Sequence, residues 1–136
     1  MKVYRLECID CGYGPYQCNC GSLCDCDDVK DRLSHREHPD HCKQKQFHSW
    51  FERMQHEHSN METHPSMVMD APNVGKLTKD YYCGFSSRAM LRRWFGKYLN
   101  LFYDIGYSVV TYNVHKDYII KGKSRKQLFF LRDSAA

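Results

Sequence analysis

No stretch of this chain has the roughly 18 consecutive apolar residues that a membrane-crossing helix needs. Three common catalytic signatures are also missing. There is no Gly-x-Ser-x-Gly elbow, no Walker phosphate loop and no His-Glu-x-x-His pair. A serine nucleophile on a strand-turn-helix, a nucleotide cradle and a helical zinc-hydrolase site are therefore not expected. The opening Met1-Lys2-Val3-Tyr4-Arg5-Leu6-Glu7 lacks the apolar core of an export signal, so a cytoplasmic location is the expectation. There is no second Cys-x-x-Cys, no internal repeat, and no glutamate after Glu62.

What is present fits one folded domain over 1–136. Apolar residues make up 42% of the 136, enough for a packed core. Twenty Lys and Arg stand against sixteen Asp and Glu, a net charge of +4, which permits an acidic partner without requiring one. The chain has eight cysteines, and without an export signal these read as reduced thiols or metal ligands rather than disulfides.

The organising stretch runs from Tyr81 to Val114 and reads as strand, helix, strand. Ser86 or Ser87 can cap the helix, and Leu91, Trp94, Phe95, Tyr98, Phe102 and Ile105 recur at helical spacing up to Gly106. Val109 to Val114 is rich in β-branched and aromatic residues, as strands are. Ahead of this unit, Lys2–Glu7 alternates as a strand, and Phe47, Trp50, Phe51 and Met54 place a helix within 43–58. Residues 60–79 read as a long loop. Behind it, 117–121 and 127–131 read as short strands around the basic turn Lys121-Gly122-Lys123-Ser124-Arg125-Lys126. The expected class is α+β: a small mixed or antiparallel sheet, one main amphipathic helix, and a Cys/His-rich insertion at about 8–64.

That insertion carries the strongest chemical pattern. Cys8-x-x-Cys11-Gly12 has the form of a zinc knuckle, in which one turn brings two thiolates to one ion. Cys18, Cys20, Cys24 and Cys26 form two Cys-x-Cys pairs, and His38, His41 and Cys42 offer further ligands. A structural zinc ion would supply the folding energy that this polar segment lacks. The alternative is a loop of free thiols. Cys83, inside an apolar strand pattern, is expected to be buried.

Arg88, Arg92, Arg93 and Lys97 lie at helical spacing, and Lys123 and Arg125 sit in the later turn. Such a face could meet a partner protein or nucleic-acid phosphates, and the alternative is an ordinary solvated surface. No helix-turn-helix or classical finger signature accompanies it.

Two pieces carry a family resemblance. The opening Met1–Glu7 with Gly14-Pro15-Tyr16 resembles the start of small proteins of tailed phages and prophages. In those a His-Pro-Ser loop, a Tyr-x-Gly-Phe strand and an amphipathic helix follow, as do His64-Pro65-Ser66 and Tyr82-Cys83-Gly84-Phe85 here. The layout is also distantly similar to ADP-ribosyltransferase-like folds. That similarity implies a dinucleotide pocket at Arg5, Tyr16 and Gln127, with Gln127 where the family has its catalytic glutamate. It implies a degenerate NAD-binding protein at most, and no residue is given a catalytic role. The resemblance to phage proteins implies a cytoplasmic accessory protein that binds and inhibits a host or defence component, as anti-CRISPR proteins do. The remaining alternative is a zinc-ordered nucleic-acid binder.

Overall fold

The computed structural model describes residues 1–12, 14–15, 48–60, 62–65, 70 and 81–131. The chain enters as strand β1 (Lys2–Cys8). Helix α1 (Ser49–Glu57) precedes strand β2 (Tyr81–Gly84), and helices α2 (Arg88–Phe95) and α3 (Tyr98–Asp104) follow it. Strand β3 (Tyr107–Asn113), a 3-10 turn at Lys116–Tyr118, and strands β4 (Ile119–Lys121) and β5 (Leu128–Leu131) complete the described chain.

All pairings are antiparallel. β1 pairs with β3 from Lys2↔Asn113 to Cys8↔Tyr107, and β5 lies between β2 and β4. One bridge joins the two sheets: Tyr4 and Phe85 exchange both backbone hydrogen bonds, each 2.8 Å. The class is α+β, as expected, but the described residues form two small antiparallel sheets and three helices in place of one mixed or antiparallel sheet and one main helix.

β1 is buried on both faces, and strand periodicity sends its side chains two ways. Leu6 and Cys8 join α1, α2 and α3 in a core of Trp50, Phe51, Met54, Leu91, Phe95 and Phe102. Val3 joins Tyr82, Val114, Leu128 and Phe130 in a second cluster. Several of the larger aromatic side chains meet edge to face, as Trp50 does with Phe102 at 5.0 Å and 86°. This arrangement suits their quadrupoles.

The single helix expected from Ser86 to Ile105 is two helices. Gly96, with φ 54° and ψ −129°, closes α2 by donating to Arg92 O, and its own carbonyl accepts from Leu99 at the start of α3. That backbone conformation suits glycine and strains other residues. The apolar spacing runs through the break because both helices bury their inner faces in the same core. At the front of α2, Ser87 takes the capping role: its side chain accepts from Met90 N at 3.1 Å.

Candidate functional site

The β4–β5 turn carries the densest cluster of cations among the described residues, and a buried carboxylate holds it. Asp70 is 2% exposed. Its Oδ1 accepts from Ser124 N at 2.7 Å, and its Oδ2 accepts from Ser124 Oγ at 2.9 Å and from Gln127 Nε2 at 3.1 Å. Its carbonyl accepts from Lys123 N at 2.8 Å. Arg125 takes a positive φ of 61°, and its amide closes the turn onto Gly122 O. Amides in such turns form concavities that receive anions. Here the anion is the protein's own Asp70. The backbone is fixed from inside, and Lys121, Lys123, Arg125 and Lys126 remain exposed.

A second basic surface is the outer side of α2. Arg88 lies over the Tyr4 ring at 5.3 Å, while Arg92 and Arg93 are exposed with no polar partner among the described residues. α2 has no acid in its first turn. Lys97, between α2 and α3, reaches Glu57 Oε1 at 3.5 Å in an exposed ion pair. Such pairs contribute little stability.

The two surfaces are connected through 62–65. His64 Nε2 lies 2.8 Å from the carbonyl of Trp94, at the end of α2. The next carbonyl, of Pro65, accepts from Gln127 Nε2 at 2.6 Å, and Lys126 Nζ donates to the carbonyl of Glu62. His58 stacks on His64, ring centres 3.8 Å apart and 15° from parallel. Burial, and then the charge of His64, pulls the His58 imidazole down to about 4, against the pull of Glu57. The Tyr98 hydroxyl donates to Glu57 Oε2 at 2.6 Å and holds that carboxyl below its ordinary range. The Tyr98 phenol is raised by burial and then by Glu57.

Arg5 and Gln127, placed in one pocket by the ADP-ribosyltransferase resemblance, do line one cavity, with Leu6, Pro15, Cys83 and Phe85 around them. Its volume is about 10 Å³, room for one water. Both side chains are buried and engaged by protein groups. Arg5 Nε meets Glu7 Oε1 at 3.1 Å, its Nη1 donates to Cys83 O at 3.0 Å, and its guanidinium lies 5.0 Å from the Tyr82 ring centre. Glu7 Oε1 also accepts from Tyr112 OH at 2.6 Å. Tyr16 lies outside the described residues.

Of the expected metal ligands, Cys8 is buried in the core and Cys11 is half-buried against it. Their turn is closed by Gly12 N donating to Cys8 O at 2.8 Å. Cys18, Cys20, Cys24, Cys26, His38, His41 and Cys42 lie outside the described residues. Among the described residues no three of His, Cys, Asp and Glu gather as a metal site. Cys83, expected to be buried, is half-buried, with Arg5 Nη1 3.8 Å from its sulfur.

The sequence reading missed Glu7, Asp70 and the His58–His64 stack. Glu7 was findable, since alternation along β1 puts it on the same face as Arg5. Asp70 had no local signal, because its partners are 54 and 57 residues away.

Fold and site together define a small α+β protein whose buried polar residues brace a basic surface. The chain belongs to the bacteriophage T4 Y00F protein family, which matches over residues 1–136. It is a phage protein, in keeping with the resemblance carried by its opening and its Tyr-x-Gly-Phe strand. No curated protein and no solved structure matches it. Among the described residues no helix is long and apolar enough to cross a membrane.

Proposed function

We propose that this phage protein works by docking: its basic surface binds an acidic face of a host or defence-system protein and inhibits it, without turnover. The observation that carries the reading is the turn pinned by Asp70. Four cations stand on a backbone whose conformation is already fixed, so a partner need not order the turn on binding. Such preorganisation reduces the entropic cost of association. Arg92 and Arg93 add a second anchor on a helix, and arginine forks match carboxylates well. Arg5, Glu7, Asp70 and Gln127, the polar groups buried deepest, hold the scaffold together. That use favours a binding role over a catalytic one.

The test is affinity capture from host lysate with the tagged full-length chain, followed by reconstitution with the purified partner. Lys123→Ala/Arg125→Ala should weaken the reconstituted complex about tenfold or more, through a slower on-rate and a flatter salt dependence. The same variant should unfold within about 0.5 kcal/mol of wild type, as exposed substitutions do. Capture that nuclease treatment abolishes would replace this reading with the nucleic-acid one. A complex indifferent to both the turn and Arg92/Arg93 would remove it.

Zinc ordering of the 8–64 segment belongs to the same proposal. The Cys8–Gly12 turn and the cysteines that follow it are the support, and elemental analysis of the purified protein is the test. Protein that folds fully with no bound zinc would end it.

A further inference from the structure

We infer that His58 and His64 form an acid-release latch, closing the connection between α1 and Pro65 onto α2 and α3 while at least one of the two rings is neutral. The geometry carries this. The rings stack at 3.8 Å, and His64 is seated edge-on against Trp94 at 4.6 Å and 77°. The His58 ring is walled by Trp94, Phe95 and Tyr98 at 6.3, 6.1 and 6.0 Å.

A carbonyl can only accept, so the His64 Nε2 facing Trp94 O carries a proton. His64 Nδ1 lies 2.9 Å from the Thr63 hydroxyl, which serves equally as donor to the neutral ring or acceptor from the charged one. The hydrogen bonds of His64 are therefore compatible with a charged ring. A proton on His58 would then sit face to face with that charge, in a half-buried site. Like charges at that distance repel strongly where water is scarce.

From the described elements, these charged or titratable groups face the stack. From α1 the Glu57 carboxylate favours a charged His58, but Tyr98 OH and Lys97 Nζ already share it. From α3 comes that Tyr98 phenol and from its N-cap Lys97, while α2 contributes the rings of Trp94 and Phe95. Acid therefore works against the stack.

Opening it has a distant consequence. The connection ends in the Glu62 and Pro65 carbonyls that hold Lys126 and Gln127. Release of the stack therefore loosens one wall of the basic turn. The effect on docking rests on the function proposed above, and the latch itself does not.

Amide exchange on the whole protein, without any partner, tests the latch apart from the docking experiment. The His58 and His64 amides donate to Met54 O and Asn60 O, both at 2.8 Å. After correction for intrinsic exchange, their protection should fall about tenfold or more between about pH 7 and about pH 4.5, while β1 and β3 keep theirs. His58→Phe keeps a ring in the stack but cannot take a proton, and should hold protection across that range. The idea is overturned if wild-type protection does not change, if it falls equally in His58→Phe, or if β1 and β3 lose theirs in step. Should His58→Phe not fold, a wild-type histidine titration by NMR decides. A His58 value below about 5.5 supports the latch, and any higher value removes it.

Discussion

Gly122 has no side chain because Asp70 occupies the space one would need. A Cβ there would stand 2.6 Å from Asp70 Cγ and closer still to its Oδ2, nearer than Cβ atoms come to other groups. The carboxylate cannot easily step aside, since Ser124 N, Ser124 Oγ and Gln127 Nε2 all donate to it. Gly122→Ala should therefore cost at least about 2 kcal/mol, from overpacking and from strained bonds to a buried charge. The measurement is the urea midpoint at unchanged slope. Asp70→Ala should cost about as much, because it strands the same donors. The double variant should cost clearly less than the sum, since the second change removes the object of the clash. Strict additivity would mean that the two residues do not share one site.

At the scale of the element, α2 is defined by its ends. Ser87 accepts from Met90 N, whereas Ser86 turns its hydroxyl outward to the Met90 sulfur. Ser87→Ala should lower stability by about 1 kcal/mol, as loss of an N-cap does. Ser86→Ala should stay within about 0.5 kcal/mol. Thermal melts of the two variants side by side would show the difference, and equal effects would refute the assignment. This boundary also shows how far sequence alone reached. Trp94, Phe95, Tyr98 and Phe102 repeat at helical spacing because all of them enter one core, so the element was legible and its break was not. The break depends on the backbone of a single residue, Gly96, that periodicity does not register. The β4–β5 hairpin was legible for a similar local reason, with two apolar runs flanking a Gly-Lys-Ser turn. The bracing of that turn by Asp70 was not, because the acid is far away in sequence and lies in a stretch without periodicity. Arg5 stood out through the dinucleotide resemblance, whereas its ion pair with Glu7, two residues along the same strand, follows from strand alternation alone.

For the molecule as a whole, β1 is the member shared by both clusters. Leu6 and Cys8 face the helices, Val3 faces the β2–β5 side, and Tyr4 joins the sheets through Phe85. Arg5 crosses the same seam, donating to Cys83 O on β2 while Glu7 answers its charge from within β1. Both side chains are almost fully buried, at 4% and 6% exposure, so screening by water is slight. Removing one member of such a pair leaves the other's charge buried without its countercharge, at a cost of about 3–5 kcal/mol. That is a large part of the 5–15 kcal/mol, roughly, that holds an ordinary domain folded. Glu7→Ala should therefore shift the whole unfolding transition, lowering the signals of Trp50 and Trp94 in the helical core and of the sheets at one common midpoint. Tryptophan fluorescence and far-UV circular dichroism, followed together in urea, provide the comparison. Glu7→Gln keeps an oxygen for Tyr112 and Arg5 while losing the charge, so it should fall between wild type and alanine, and it serves if the alanine variant does not fold. Coincident curves would mean that β1 couples the two clusters into one cooperative unit. If the helical core and the sheets melted separately in either variant, β1 would be a neighbour of both clusters and not their link.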